Sequence, residues 1–391
     1  MSPVASPRPA PPEALPPLGE MAIKDFLRDY WQKQPVLIRQ AVPAGACAPV
    51  DVNALLELAE DDGVESRLIT AFRGAWQLQH GPFERGDLPA LSRKRWTLLV
   101  QGVDLHVDTA HELLGRFRFL PDARVDDLMI SLASDQGGVG PHVDAYDVFL
   151  LQAWGSRRWQ IAPPGNDQLK RGLPLKILER FEPTQEWLLE PGDMLYLPPG
   201  WAHDGVAQGP CMTASIGFRA PSRNEFLREF LVACADELDP LDDPRFTDPT
   251  RRASPGRAAY VPDDLNGVLS AWARHWRPDP TAIERFIGSY LTEPKPSVWF
   301  ESQALPSPAT LVRRIARNGL RLDRRSRMLY RGERVFINGE AIEADPTTQD
   351  ALVRLAEHRF IPPDALGALL GHSPFLDLIR QWVSHGWVRI G

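Results

Sequence analysis

Apolar and polar positions along the chain follow two different rhythms. Near the N-terminus Ile23, Phe26, Leu27 and Trp31 recur at helical spacing, and Pro35-Val-Leu-Ile38 then reads as a strand. Helical periodicity returns over 53–61 through Leu55, Leu56 and Leu58. From about 94 to 220 the rhythm shortens. Apolar segments at 96–100, 128–132, 148–151, 159–162, 194–197 and 214–218 are separated by glycine and proline. Many short strands joined by turn chemistry predict a β-barrel or sandwich.

The texture changes at Pro221. Ser222-Arg-Asn-Glu225 forms a capping box, since the serine hydroxyl and the glutamate carboxylate can each satisfy a free amide of the first turn. It opens a helix with Phe226, Phe230, Cys234 and Leu238 on one stripe. A proline-rich loop at 239–262 precedes two more helical stretches, one through Leu265, Val268, Leu269, Trp272 and Trp276, the other through Ile283, Phe286, Ile287 and Tyr290. Three helices offer too little surface for a separate core and are expected to pack on the barrel, on each other or on a second subunit. Farther on, 311–315, 349–357 and 363–370 read as helical. Arg334-Val-Phe-Ile with the Asn338-Gly339 turn reads as a hairpin, and Trp387-Val-Arg-Ile as a terminal strand. That order suits a winged-helix module. The expected division is a proline-rich tail (1–19), a catalytic domain (20–220), a helical segment (221–296) and a winged-helix-like domain (297–391).

Composition narrows the class. A chain of 391 residues, 43% apolar and 24% charged, is a folded protein of more than one domain. No apolar run reaches the roughly 18–20 residues that a membrane helix needs, so no membrane is expected. Three well-separated cysteines (Cys47, Cys211, Cys234) exclude a disulfide framework and a cysteine zinc site, and suit a reducing, cytoplasmic setting. A net charge of -7 argues against wholesale nucleic-acid binding. Locally, however, nine arginines fall within 313–334, a patch that could touch ribosomal RNA.

The chemistry concentrates in Gly137-Gly-Val-Gly-Pro-His-Val-Asp-Ala-Tyr-Asp147. On a strand, His142 and Asp144 project from one face, with Tyr146 after them. A Pro191-Gly-Asp turn launches a later strand that Pro198-Pro-Gly ends just before His203, 59 residues after Asp144. Two histidines and a carboxylate form the triad that holds non-haem Fe(II) with open positions for O2 and a chelating co-substrate. A 2-oxo acid would need a cation for its far carboxylate, and Arg157 or Arg158 can supply a bidentate partner. Strand alternation allows only one of them to face the pocket and does not choose between them. Asp127, Met129, Ser131 and Ala133 share one strand face and are expected to line the pocket together.

These motifs resemble the JmjC-type ribosomal oxygenases, within them the bacterial enzymes that 3-hydroxylate an arginine of a large-subunit ribosomal protein. The resemblance rests on Asp126-Asp-Leu-Met-Ile-Ser131, the glycine-rich run through His142 and Asp144, Gly155-Ser-Arg-Arg-Trp159, Glu190-Pro-Gly-Asp193, Pro198-Pro-Gly-Trp-Ala-His203 and Ser215-Ile-Gly-Phe-Arg-Ala-Pro221. Trp31-Gln-Lys-Gln-Pro-Val36 and His80-Gly-Pro-Phe83 extend it toward the N-terminus. It implies an α+β fold: a double-stranded β-helix (jelly-roll, cupin) core, a helical dimerisation segment and a C-terminal winged helix. It also implies Fe(II), 2-oxoglutarate and O2, a ribosomal-protein substrate and a homodimer. On this resemblance His142, Asp144 and His203 hold iron, Arg157 binds the 2-oxoglutarate carboxylate with Ser131 and Thr213 near the co-substrate, and Asp127 and Tyr146 hold the substrate guanidinium. The sequence departs from the family pattern at Ala133, where a serine is expected, and at Thr213, where an asparagine is expected. The same chemistry on a histidine of another ribosomal protein, lysine demethylation, and a non-catalytic metal-cupin binding module are the alternatives. An acidic and aromatic pair favours a cationic target over histidine.

Overall fold

In the computed structural model the described residues are 15–72, 75–165, 167–237, 247, 266–268, 270–271, 274 and 277–391. The tail expected at 1–19 lies outside them up to residue 14, as do the loop at 239–262 except residue 247, Leu238, and Leu265, Leu269, Trp272 and Trp276 of the second expected helix. Leu18, within the stretch read as tail, is buried in the core.

The chain runs α1 (Ile23–Asp29), β1 (Val36–Ile38), α2 (Val52–Glu60), β2 (Ser66–Phe72), β3 (Ala75–His80), β4 (Trp96–Val100), α3 (Val103–His106) and α4 (Asp108–Gly115). Then follow β5 (Val125–Ala133), β6 (His142–Val143), β7 (Asp147–Ala162), β8 (Gln185–Leu189), β9 (Met194–Leu197) and β10 (Ala202–Phe218). These ten strands pair in the order β1-β9-β7-β10-β5-β4-β2-β3, with β6 on β10 and β8 on β7. The result is an antiparallel jelly roll, in line with the β-barrel or sandwich that the short apolar segments predict and the jelly roll that the resemblance implies.

Two expected strands, 148–151 and 159–162, are one 16-residue strand, β7. Gly155 interrupts the apolar pattern without ending the strand: its φ of 62° bends β7, and the ladder to β10 shifts register between Gln208 and Thr213. The hairpin β2–β3, β8, α3 and α4 carry weaker patterns and were not expected. β7 begins with seven consecutive buried residues, since both of its faces are covered. Around it Phe149 packs against Phe26, Phe117, Tyr196 and Phe218, with ring centroids within 5.7 Å. Beneath them the buried Asp147 carboxylate accepts from Tyr196 Oη (2.6 Å), Arg124 (2.9 Å) and Gln32 (3.0 Å).

After Ala220 come α5 (Arg223–Asp236), α6 (Pro280–Thr292), α7 (Pro308–Asn318), β11 (Leu320–Leu322), β12 (Met328–Arg331), β13 (Arg334–Ile337), β14 (Glu340–Glu343), α8 (Pro346–His358), β15 (Phe360–Ile361), α9 (Ser373–Ser384) and β16 (Val388–Ile390). The capping box of α5 and the two-residue Asn338-Gly339 turn form as expected. The expected helix at 363–370 is instead a pair of 3-10 turns, Pro363–Ala365 and Gly367–Gly371, because Pro362 and Pro363 lack donors and glycines flank the rest. The unexpected α9 begins where those glycines end.

The described residues pack as two compact units. The larger joins those up to 220 with 294–327 and 358–391, and holds the jelly roll and a small sheet ordered β15-β11-β16. The smaller joins 221–293 with 328–357, and holds α5, α6 and the sheet β12-β13-β14. In the smaller unit Phe230 packs on Phe286 (5.2 Å) and Thr292 Oγ1 accepts from the Gly339 amide (3.1 Å).

Removing the Asp147 carboxylate leaves the buried Tyr196 hydroxyl, which also accepts from the Gln32 amide (2.8 Å), with no acceptor for its proton, and strips Arg124 of its buried partner. Asp147→Ala is expected to lower the unfolding free energy by about 3 kcal/mol in urea titration, and an unchanged midpoint would contradict the anchoring role.

Candidate active site

Pairing of β6 with β10 sets His142 directly opposite His203. Asp144 follows β6, and its carbonyl accepts from the amide of Gly200, so the Pro-Pro-Gly turn is tied to the H-x-D segment (2.9 Å). The three side chains converge: their candidate ligand atoms all lie within 4.8 Å of one another. His142 Nε2 is 3.9 Å and His203 Nε2 3.6 Å from the Asp144 oxygens. Each ring directs Nδ1 at a carbonyl, Gly140 O for His142 (2.9 Å) and Trp201 O for His203 (3.0 Å). A carbonyl only accepts, so Nδ1 carries the proton and both Nε2 lone pairs face inward. Burial, reinforced by His142, pushes the His203 pKa down to about 4, which keeps it neutral and able to ligate. The donor set fits a divalent first-row metal with positions left open.

A cavity of about 260 Å3 opens from this triad. On its wall stands Arg157, whose guanidinium is buried. One terminal nitrogen donates to Ser131 Oγ (3.1 Å), while Nε and the other terminal nitrogen have no hydrogen-bond partner among the described residues. A buried guanidinium with two idle donors is costly unless an anion completes it, and a carboxylate matches that fork. Arg158 points away and pairs with Glu186 on the surface (3.2 Å). Ser131 itself donates to Thr213 O (3.4 Å) and so braces Arg157. Thr213 is not on the cavity wall: its hydroxyl donates to Gln152 Oε1 (3.0 Å). Ala133 also leaves the wall and packs with Ala207 and Cys211, whereas Asp127, Met129 and Ser131 line it.

The far end of the cavity is acidic. Asp127 is buried, and its Oδ2 accepts from the Gly102 amide (3.3 Å) and lies 3.5 Å from Lys295. Burial pushes its pKa up, opposed by Lys295. Burial also works against the neighbouring Asp126 carboxylate, but Lys295 (2.8 Å) and Arg219 (3.1 Å) outweigh it and hold that pKa below the ordinary value. Tyr146 is half-exposed beside them; burial and then the Asp144, Asp127 and Asp126 carboxylates push its pKa up, so it remains a phenol. An acid and a neutral aromatic face can hold a flat cation.

Lys295, Gly102 and the wall residues Arg67 and Gln101 carry no motif and were missed. Lys295 stands alone after a helical segment, and only its position in space reveals its role. The arginine-rich stretch 313–334 is largely committed within the chain. Arg324 pairs with Asp108 (2.5 Å), Arg325 with Asp323 (3.0 Å), Arg331 with Glu284 (3.6 Å) and Arg334 with Glu343 (3.3 Å). Arg321 covers Phe360, and Arg327 donates to the Val125 and Asp126 carbonyls at the head of β5 (3.2 and 2.5 Å).

Residues 112–226 match the JmjC domain, and residues 274–389 the ROXA-like winged helix. Over 368 residues the chain is 33% identical to the ribosomal protein uL16 3-hydroxylase of Escherichia coli (strain K12), covering 93% of this chain and 96% of that one. It is 29% identical over 389 residues to a probable ribosomal oxygenase of Haemophilus influenzae, covering 93% and 95%. The structure of the ribosomal oxygenase YcfD from Escherichia coli in complex with cobalt and 2-oxoglutarate superposes with a TM-score of 0.79 at 31% identity, covering 95% of this chain and 98% of that one.

Two substitutions separate the halves of the site. His203→Ala is expected to abolish the visible absorption of added Co(II), while Arg157→Met keeps it but weakens a dicarboxylate ligand about a hundredfold, read by calorimetry. Equal dicarboxylate affinity in Arg157→Met and wild type would remove Arg157 from the site.

Proposed function

This chain belongs to the JmjC-type ribosomal oxygenases, and we propose from its site that it hydroxylates the β-carbon (C3) of an arginine in a large-subunit ribosomal protein. It is a 2-oxoglutarate-dependent dioxygenase. The observation that carries the finer reading is the cavity itself, which joins a two-histidine, one-carboxylate triad, a buried guanidinium with idle donors and an acidic, aromatic end wall.

His142, Asp144 and His203 are the residues that would hold Fe(II). Once bound, iron with 2-oxoglutarate and O2 supplies the oxidant that places one oxygen atom in a C–H bond and leaves succinate and CO2. The chain's own part is positional. Arg157 receives the distal carboxylate of 2-oxoglutarate, and Ser131 fixes the guanidinium that does so. Asp127 takes the substrate guanidinium against the ring of Tyr146, which suits a cation and gives histidine no comparable partner. Apolar side chains of Ile69, Leu99, Met129, Val148 and Leu150 line the space between and shield it from water. With its guanidinium held at the end wall, an arginine presents its aliphatic stem, and so its β-carbon, toward the triad.

The chain divides on this reading into a catalytic domain (20–220), a dimerisation segment (221–296) and a winged-helix-like domain (297–391). Leu227 and Leu231 of α5, and Ile283 and Ile287 of α6, are exposed one helical turn apart, which supports burial against a second copy of the chain. All three cysteines are free thiols, in keeping with a cytoplasmic setting. Among the described residues no helix is long and apolar enough to cross a membrane.

Incubation with Fe(II), 2-oxoglutarate and an arginine-containing peptide of the uL16 class is expected to add about 16 Da to the arginine, and Asp144→Ala to add nothing. Mass spectrometry that finds no gain with metal-loaded wild type overturns the reading. Leu231→Asp is expected to convert dimers to monomers in light scattering; an unchanged mass would place the interface elsewhere.

A further inference from the structure

Gly217 forms the floor of the cavity at its acidic end. Two other glycines around this sheet are crowded by backbone: a Cβ on Gly155 would lie 2.3 Å from Pro210 O, and one on Gly138 2.6 Å from Gly205 O. Gly217 is different. Its φ is not in the left-handed region, and a Cβ there would meet only ordinary contacts: Asp126 Cβ at 3.6 Å, the Tyr146 ring at 3.8 Å and Asp127 Oδ1 at 3.9 Å. The fold therefore does not require glycine at this position. What a side chain would occupy is the open space between the Tyr146 ring and the Asp127 carboxylate.

Two further observations give that space a direction. Asp127 Oδ2 is committed to the Gly102 amide and faces Lys295, which leaves Oδ1 for the slot. Gly217 also sits where the β10–β5 ladder shifts register between Ile216 and Phe218, while remaining opposite Val148 on β7. A register shift at a site re-aims what the strand presents; here it presents bare backbone.

We infer that Gly217 is a specificity-determining residue: its missing side chain keeps open a flat slot, bounded by Tyr146 and Asp127 Oδ1, that admits a guanidinium. A planar group needs the full height of the slot, whereas the compact ammonium of lysine does not. The inference deepens the arginine reading and rests on Asp127 and Tyr146 being the cation site.

The test uses full-length protein loaded with Mn(II) and 2-oxoglutarate under nitrogen, titrated with the arginine peptide and with its arginine-to-lysine counterpart. Gly217→Ala is expected to weaken the arginine peptide about tenfold and Gly217→Val about a hundredfold, with the lysine peptide changed less than about threefold. The arginine-to-lysine preference falls accordingly, an effect that general destabilisation would not produce. Unchanged 2-oxoglutarate affinity and melting temperature serve as the folding control, and Gly217→Ala keeps the test valid should the valine variant unfold. Arginine affinity equal to wild type in both variants, or equal losses for both peptides, overturns the inference. Asp127→Asn separates the two levels: if it too binds arginine peptide normally, the cation site itself is wrong, whereas a weakened Asp127→Asn beside an unaffected Gly217→Val refutes the slot alone.

Discussion

The site depends on the register with which β10 pairs its neighbours. One long strand meets β6 through His203 and His142, the second half of β7 through Ala207 and Arg157, and β5 through Ser215 and Met129. Side chains of directly paired residues share a face, so this ladder decides at once which histidine meets the triad and which arginine enters the cavity. A slip of one residue would turn each of these groups to the opposite face. The triad, the buried guanidinium and the acidic wall are three readings of one alignment.

The cavity that results is electrically polarised. At one side a buried guanidinium waits with two donors unused; at the other stand the Asp126 and Asp127 carboxylates. Each charge is expensive in the interior until its counterpart arrives. The protein sustains the acidic side with Lys295 and Arg219, which hold Asp126 ionised, and Lys295 with the Gly102 amide also tempers the burial of Asp127.

How much of this was legible in the sequence varied with the physics involved. The triad was readable, because H-x-D on a strand and a histidine after a Pro-Pro-Gly turn are local patterns with direct chemical meaning. The choice of Arg157 over Arg158 was not readable from alternation. Val148 and Leu150 face the cavity on even positions of β7, Arg157 and Trp159 on odd ones. The irregularity around Gly155 absorbs one residue and reverses the phase, so strict alternation from the first half would select the wrong arginine. Thr213 and Ala133 kept the right strands but turn to Gln152 and to small core residues instead. Lys295 and the role of Gly217 had no sequence signal, since one is a lone charge and the other a side chain that is missing. The hairpin β2–β3 and helix α4 escaped because their burial is partial and their apolar spacing weak.

Arg327 ties residues far along the chain to the first turn of the strand that bears Asp127, and Lys295 neutralises the acids beside it. The acidic end of the cavity is therefore finished by residues made roughly 170 to 200 positions after it. A ribosome would release the His142, Asp144 and His203 triad and Arg157 well before the groups that complete that acidic wall. During synthesis the triad side of the cavity can thus form first, and its acidic side is completed only when the C-terminal segment arrives.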